Sequence, residues 1–346
     1  MLRRMLAASC AAVAAMTVTV GPAFACGGLI GPNGAVNLLR TTTLAGYHAG
    51  VEHYVTAFQF AGGGGAFGSL TPLPGVPSSV EKGGDWTLQR LVRETTPFRL
   101  EDTAFAAAPA AGEAEILMKV RIDALDVTVL KGGATEVGRW AADHGFRLPP
   151  DAPEVLDFYA RRSPIFLAAV FDADAAAERG QAIGDGTPVH VTIPTTNPWV
   201  PLRILALGKT GDKRVEADVF LLTDRQPALL PQPTGLNGMR LAHSAPASDE
   251  LLADLRSDSG MTWVPGSGWL TKISLDGTAD QFTYDLAIDA SGFGTPSRVA
   301  AGFDLLPPPS GIDSAQQLAI VALLGAAALA FMTLARRRAV GLPAPW

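Results

Sequence analysis

The sequence has few of the residues that carry covalent cross-links or acid–base chemistry. It contains 2 cysteines, 4 tyrosines and 5 histidines in 346 residues, and charged residues make up 17% of the chain. Cys10 lies in an N-terminal segment that we expect to be removed, so Cys26 has no partner for an intrachain disulfide. A hydrophobic core must therefore stabilise the fold, and the 48% of hydrophobic residues are enough to build one.

Residues 1–25 have the three parts of a secretory signal peptide. Arg3-Arg4 forms the basic region, and the uncharged stretch 5–20 is apolar but short for a membrane span. Ala23 and Ala25 supply the small residues that signal peptidase accepts. We therefore predict cleavage after Ala25 and export of the remaining chain.

Cleavage at this point makes Cys26 the first residue of the mature protein. A cysteine at that position is required for lipoprotein processing, normally after a Leu-x-small sequence. The residues before it, Ala23-Phe24-Ala25, match that pattern poorly. Ordinary cleavage with a free thiol is the favoured interpretation, and lipid attachment at Cys26 is the alternative.

A second apolar segment lies near the C-terminus, where residues 315–335 are predicted to form a transmembrane helix. Its central stretch, Leu318–Ala335, is uncharged and at about 1.5 Å per residue is about 27 Å long, enough to cross a hydrocarbon core. Arg336, Arg337 and Arg338 follow at once, which predicts a cytoplasmic C-terminus. A buried core helix is the alternative, but the stretch lacks the polar face that such helices usually have.

A proline-rich stalk, residues 305–314, precedes this segment. Within it, Leu306–Gly311 has the Leu-Pro of a sortase signal but lacks the Thr-Gly that the enzyme cuts. Sortase anchoring is therefore a lesser alternative to a single-pass type I plasma-membrane protein.

The exported part is acidic. Without the five arginines of the two ends, 22 of the 27 basic residues remain against 33 acidic residues. This balance argues against nucleic acid or an anionic lipid surface as the main partner. An envelope protein or glycan is the expected partner class.

Alternation of apolar and polar residues, interrupted by Gly, Pro and Asp, favours β strands over most of the chain. We predict an α+β fold in which a mainly antiparallel β ectodomain carries a short helical hairpin. The predicted order is 1–25 signal peptide, 26–304 ectodomain (with a break near 131–163 if it has two lobes), 305–314 stalk, 315–335 transmembrane helix and 336–346 cytoplasmic tail. The predicted strands are 36–44, 51–60, 66–73, 114–130, 165–171, 189–193, 202–207, 214–222, 269–275 and 281–288.

Capping residues predict where the helices begin. Asp85, Thr135, Asp151 and Ser248 each precede a helical apolar pattern. The second and third of these helices form the predicted hairpin, joined through the Leu148-Pro149-Pro150 bend. Asp276-Gly277 is predicted to be a hairpin turn.

Four segments resemble the bacterial family called domain of unknown function 2330. They are Ala25–Gly28, Leu70–Pro77, the Trp140 to Tyr159 hairpin, and the stretch from Pro201–Leu205 to Val219–Asp224. Family members often have a second cysteine close to the first, which this chain lacks. The resemblance implies an exported, membrane-anchored protein and no assigned activity.

Neither a metal site, a cofactor site nor a catalytic set is predicted. His48 and His53 are interpreted as lying on opposite faces of a strand, and His144 as capping a helix end. Asp172 and Asp174 form a DxD pair that is more typical of a helix start. The enzymatic alternative is an envelope hydrolase that uses scattered acids such as these two and Asp224.

Trp199, Trp263 and Trp269 are the candidate ligand-binding residues. Each lies beside Pro or Gly, where an indole on a loop can stack on a sugar ring. Ordinary packing is the alternative role for all three. We therefore expect a non-catalytic binding or structural module of the cell envelope.

Overall fold

A computed structural model describes residues 28–31, 34–35, 41–59, 67–96, 116–172, 178 and 186–305. These residues form three β sheets with a few short helices, which confirms the predicted α+β class. The predicted signal peptide, transmembrane helix, cytoplasmic tail and nearly all of the stalk lie outside the described residues. Within the described ranges, no helix is both long and apolar enough to cross a membrane.

The largest sheet has seven strands in the order β14-β15-β12-β3-β4-β10-β6. All neighbours are antiparallel except β12 and β3, which run parallel. The strands are β3 (Thr41–His48), β4 (Val51–Gln59), β6 (Ser79–Lys82), β10 (Gly186–Pro194), β12 (Arg214–Thr223), β14 (Met239–Pro246) and β15 (Trp269–Thr278).

The second sheet has six antiparallel strands in the order β2-β1-β5-β9-β8-β7. Its strands are β1 (Gly28–Gly31), β2 (Gly34–Ala35), β5 (Phe67–Pro72), β7 (Ile116–Ile122), β8 (Leu125–Lys131) and β9 (Ile165–Phe171). A third, small sheet has the order β11-β16-β13, with β11 (Trp199–Val200), β16 (Leu286–Asp289) and β13 (Ala228–Leu230).

The two large sheets share one core. Alternate residues of β10, β12 and β15 pack with alternate residues of β8 and β9, as the period-two pattern requires, and β4 and β5 add one residue each. Tyr54, Leu167 and Val219 are buried there at 1%, 0% and 0% exposure. The opposite face of the seven-stranded sheet is covered by a second cluster that includes Leu44 and Leu252.

Helices cover the outer faces of both large sheets. On the seven-stranded sheet, α1 (Thr87–Thr95) and α4 (Asp249–Ser257) supply Leu88 and Leu252 to the second cluster. On the six-stranded sheet, α2 (Ala134–Asp143) and α3 (Ala152–Ala160) form the predicted helical hairpin. A last short helix, α5 (Arg298–Ala301), follows the small sheet.

Several local predictions are wrong. The segment 202–207 contains a 3-10 helix, Arg203–Ala206, and no strand. Backbone N–H groups at its start donate to the Asp285 carboxylate, so a tertiary contact overrides the apolar pattern. The predicted strand 114–130 is a hairpin that turns at Asp123, whose φ is 49°. The predicted turn Asp276-Gly277 lies inside β15.

One helix is capped by the residue that the sequence predicts, and two others are not. The Ser248 hydroxyl accepts a hydrogen bond from the N–H of Leu251, as predicted. The α1 helix is instead capped from a distance, because the Asp258 carboxylate accepts from the N–H groups of Asp85 and Trp86 and from the Thr87 hydroxyl. The Asp151 side chain makes no cap bond.

Candidate functional site

A cleft of about 680 Å³ opens at one end of the seven-stranded sheet. It lies where the β3–β4 turn, the β10–β11 loop and α5 come together. Its volume falls within the range typical of small-molecule sites. The lining residues are Gly50, Pro74, Arg162, Pro194, Thr195, Thr196, Asn197, Trp199, Ser297, Val299 and Ala300.

Arg162 is the only ionisable residue of that lining. Its side chain is 2% exposed and forms an ion pair with Asp285, which is fully buried. Burial lowers the pKa of Arg162 to about 10, so the guanidinium remains charged at neutral pH. Because Asp285 already neutralises this charge, the cleft offers a ligand mainly uncharged hydroxyl, amide and apolar groups.

Asp285 also organises the backbone behind the cleft. Its carboxylate accepts hydrogen bonds from the Tyr159 hydroxyl at 2.9 Å and from the N–H of Leu202 at 2.6 Å. The Tyr159 oxygen in turn accepts from the N–H of Ile204 at 2.9 Å. Burial raises the pKa of Tyr159, so the hydroxyl stays protonated and donates to the carboxylate.

Trp199 forms part of the cleft wall but is 3% exposed. The Arg162 guanidinium lies 4.3 Å from its ring centroid, and the Tyr159 ring lies 5.8 Å away. These neighbours occupy ring surface that a sugar would otherwise stack on. Trp199 therefore shapes the wall more than it presents an open face.

The other two candidate tryptophans lie away from this cleft. Trp263 is half-buried and stacks on His53, with ring centroids 4.1 Å apart and planes 1° apart. Its ring lies over Gly46, where a Cβ atom would come within 2.3 Å of it. Trp269 begins β15 and donates from Nε1 to the Ser244 hydroxyl at 2.9 Å. Of the three predicted tryptophans, only Trp199 lines the cleft.

Glu52 is an ionisable residue near the cleft that sequence reasoning missed. It is fully buried, and its Oε2 accepts a hydrogen bond from the Trp199 N–H at 3.3 Å. Burial raises its pKa to about 8, so the carboxyl is mainly protonated at neutral pH. Its position near the start of β4, between Val51 and His53, gives no signal for this role in the sequence.

The hairpin between β3 and β4 corrects the interpretation of His48 and His53. Ala49 and Gly50 turn the chain with φ values of 51° and 82°, which suits a two-residue hairpin. Gly46 pairs with His53 and His48 with Val51, so the two imidazoles lie on one face of adjacent strands. They do not lie on opposite faces of one strand.

Two further histidine contacts occur on this face. His53 Nδ1 lies 3.0 Å from His190 Nε2, and His48 Nδ1 lies 2.6 Å from Asp224 Oδ1. Burial lowers the pKa of His190 to about 4. Burial, and then the charges of His190 and His48, lower the pKa of His53 to about 4. The imidazoles of His53 and His190 are therefore neutral at neutral pH.

The acids of the enzymatic alternative have separate partners. Asp172 lies 3.9 Å from Arg121 beside the six-stranded sheet, whereas Asp224 bonds His48 on the seven-stranded sheet. Asp174 lies outside the described residues. Across the described ranges, no three His, Cys, Asp or Glu side chains are grouped so that they could hold a metal ion together.

Comparison with known proteins places most of the chain in one bacterial group. A family model described as "uncharacterized protein conserved in bacteria", domain of unknown function 2330, matches residues 21–228. A search of curated proteins found no match.

Solved structures of baculovirus P35 show a weak likeness. A mutated P35 after caspase cleavage has 7% identity and a TM-score of 0.38, covering 74% of this chain and 98% of its own. The structure of P35 itself has 8% identity and a TM-score of 0.38, covering 72% and 96%. Scores this low carry no argument about function.

Proposed function

The chain belongs to the domain of unknown function 2330 family, which supplies no activity, and we propose that it is a non-catalytic binding module of the bacterial cell envelope. The observation that carries the proposal is the cleft beside Arg162 and Trp199. It combines a ligand-sized volume with a lining in which the single ionisable group is already paired.

The lining chemistry indicates an uncharged polar ligand. Thr196 and Asn197 are exposed on the β10–β11 loop, and Val299 is 50% exposed on the opposite wall. Hydroxyl and amide groups beside an apolar wall suit a glycan unit, which has both hydroxyl groups and apolar ring faces. A free phosphate or carboxylate would find no unpaired cation among the lining residues.

The proposed location is an expectation carried by the two ends of the sequence. An N-terminal signal peptide and one C-terminal membrane helix followed by Arg336, Arg337 and Arg338 would hold the cleft outside the cytoplasm. Lipid attachment at Cys26 would add a second anchor.

A cleft-filling variant tests the binding proposal. The full chain, purified in a mild detergent, is titrated with an N-acetylglucosamine tetrasaccharide and, separately, with inorganic phosphate, by isothermal calorimetry. We expect saturable binding of the sugar only, and loss of it in Val299→Trp. Leu236→Trp is the matched control, because Leu236 is 89% exposed and does not line the cleft.

Three outcomes of this experiment would contradict the binding proposal. Equal sugar binding by both variants would place the ligand elsewhere, and tighter binding of phosphate would reverse the predicted ligand class. Absence of any heat with either probe would remove the support for a glycan-binding role.

The hydrolase alternative retains one observation, the 2.6 Å contact between His48 and Asp224. A carboxylate that orients an imidazole is one component of acid–base catalysis. If it acts so, Asp224→Asn should reduce cleavage of a chromogenic ester or glycoside at least tenfold, whereas Asp276→Asn should not. A rate for the unaltered chain that equals the rate of buffer alone would remove this alternative.

A further inference from the structure

The segment that joins β16 to α5 presents an aromatic ring to solvent. Phe293 is 84% exposed, and among the large apolar side chains of the described ranges only Leu236 is more exposed. A single exposed apolar side chain is common on protein surfaces. What distinguishes Phe293 is how its ring is held and where it lies.

Local hydrogen bonds hold the turn around Phe293 in one shape. The Asp289 carboxylate accepts from the N–H of Ser291 at 2.8 Å, and the Ser291 hydroxyl accepts from the N–H groups of Phe293 at 3.2 Å and Gly294 at 3.1 Å. A Cβ atom at Gly294 would overlap the Asp289 carboxylate, so this close approach requires glycine. Because the turn is already ordered, a ligand that contacts the ring has little backbone ordering to offset.

Arg225 packs against one side of the ring. Its guanidinium carbon lies 5.0 Å from the Phe293 ring centroid. A Cβ atom at Gly292 would meet the Cβ of Arg225 at 3.3 Å, so the stem of this side chain lies against the turn. With one face next to Arg225 and 84% of the side chain exposed, the other ring face is open to a ligand.

The turn is connected to both sides of the cleft. The α5 side begins at Ser297, four residues after Phe293, and four residues span at most about 14 Å. On the other side, Arg225 follows Asp224, which bonds His48 of β3, and the turn after β3 lines the cleft. Phe293 therefore lies beside the cleft without being part of its lining.

From this placement we propose that Phe293 is a second sugar subsite, on which one unit of a glycan stacks while a neighbouring unit of the same chain occupies the cleft. This inference rests on the proposed glycan-binding function. A pyranose ring has an apolar face that suits an open aromatic face, and its hydroxyl groups remain in water at the edges. The ligand class is then an oligosaccharide of several units, since a single unit cannot occupy the cleft and reach Phe293 together.

Phe293 also supplies a contact that the cleft itself lacks. Of the three candidate tryptophans only Trp199 reaches the cleft, and the Arg162 guanidinium covers its ring. The cleft lining offers hydroxyl, amide and aliphatic groups but no open aromatic face. An aromatic platform beside the cleft would complete the combination of polar groups and stacking surface that a glycan chain uses.

A series of ligand lengths separates the two subsites. The full chain in mild detergent is titrated by isothermal calorimetry with the disaccharide and the tetrasaccharide of N-acetylglucosamine. We expect the tetrasaccharide to bind about twofold to tenfold more tightly. Phe293→Ala should remove this gain and leave the affinity for the disaccharide unchanged, whereas Phe293→Tyr, which keeps the ring, should retain the gain. Leu236→Ala is the matched control, because Leu236 is 89% exposed and lies outside the cleft.

Equal tetrasaccharide affinity in Phe293→Ala and the unaltered chain would overturn the subsite. The cleft proposal would survive that result if Val299→Trp still abolished binding of both sugars. An equal loss in Leu236→Ala would also overturn the subsite, because it would show a nonspecific effect of exposed apolar groups. No heat with either sugar would overturn both proposals together.

A fluorescent variant gives a second reading that does not depend on affinity. Phe293→Trp places an indole at the exposed position, and the tetrasaccharide should shift its added emission to the blue, whereas the disaccharide should not. Leu236→Trp, the matched control, should show no added shift with either sugar. An unshifted emission from Phe293→Trp at saturating tetrasaccharide would overturn the subsite.

Discussion

The buried carboxyl of Glu52 accepts a hydrogen bond from the backbone N–H of Trp199 across 147 residues of sequence, at 3.3 Å. This contact ties β4 of the seven-stranded sheet to β11 of the small sheet, directly behind the cleft. A mainly neutral acid thus joins the wall of the proposed binding site to the large sheet.

Stability should fall as the pH rises through the range in which Glu52 ionises. Burial raises its pKa from 4.5 to about 8, so the folded chain holds a proton that the unfolded chain releases between these values. This contribution is fully present below pH 4.5 and is lost as the pH rises through about 8. The slope is at most about 1.4 kcal/mol per pH unit. Below pH 6.5 the lowered pKa values of His53 and His190 act in the opposite sense, because these imidazoles take up protons on unfolding. Urea denaturation with EDTA present at several pH values between 6.5 and about 8 should therefore show the slope, and Glu52→Gln should abolish it there.

Glu81→Gln is the control for that prediction, because Glu81 is exposed on the edge strand β6. A slope that persists unchanged in Glu52→Gln would assign the pH dependence to other groups. Loss of the slope in Glu81→Gln would do the same.

Removal of the Asp258 carboxylate should destabilise the α1 end of the fold. The group accepts from the N–H groups of Asp85 and Trp86 at 3.0 Å and from the Thr87 hydroxyl at 2.8 Å. Asp258→Ala leaves these donors unpaired and should cost about 2 kcal/mol. Ser248→Ala, which removes one ordinary cap bond, should cost about 1 kcal/mol. The free energy of unfolding of each variant tests the prediction. A smaller loss of stability in Asp258→Ala than in Ser248→Ala would contradict it.

Gly46 should not tolerate a larger residue. A Cβ atom there would lie 2.3 Å from the Trp263 ring, so Gly46→Ala must displace the indole from His53. We expect a cost of about 1–3 kcal/mol and a red shift of the tryptophan emission. Gly266→Ala is the control, since a Cβ atom at Gly266 meets nothing within 4 Å. Identical emission spectra for the two variants would show that Trp263 is not held against the sheet.

The predicted topology has a direct test in cells. Protease added to cells with an opened wall should digest the β domain and leave a small membrane fragment, while a cytoplasmic marker survives. Mass spectrometry of the N-terminal peptide should show an unmodified Cys26. A diacylglycerol adduct would establish lipid attachment instead, and full-length chain after digestion of a known surface protein would contradict the export prediction.

Strands rich in buried apolar residues were predictable from the sequence. Those at 165–171 and 214–222 agree with β9 (Ile165–Phe171) and β12 (Arg214–Thr223), because each has apolar residues that face a core. The edge strand β14 (Met239–Pro246) was missed, since most of it is partly or fully exposed and it lacks an apolar period. The 3-10 helix Arg203–Ala206 depends on Asp285, which lies some 80 residues away in sequence.

The candidate sites were less predictable than the strands, for a related reason. His53 and His190 are 137 residues apart, and only the register of β4 against β10 brings their nitrogens together. Register is decided by burial across a whole sheet, which no local spacing encodes. Trp199, a predicted ligand-binding residue, lines the cleft. The Arg162 guanidinium that lies over its ring follows α3 in the chain, and this contact could not be predicted from the sequence.

The parallel pairing of β3 with β12 fixes the order in which this protein can fold. The central strand of the large sheet, β3, reaches only to residue 48, whereas its neighbour β12 begins at residue 214. A chain that emerges N-terminus first must keep one side of β3 unpaired until some 175 further residues have followed. Long-range pairing of this kind slows folding and prolongs exposure of an open strand edge. The open edge of β3 is therefore exposed for longer during folding than the edge of a strand that pairs in a local hairpin.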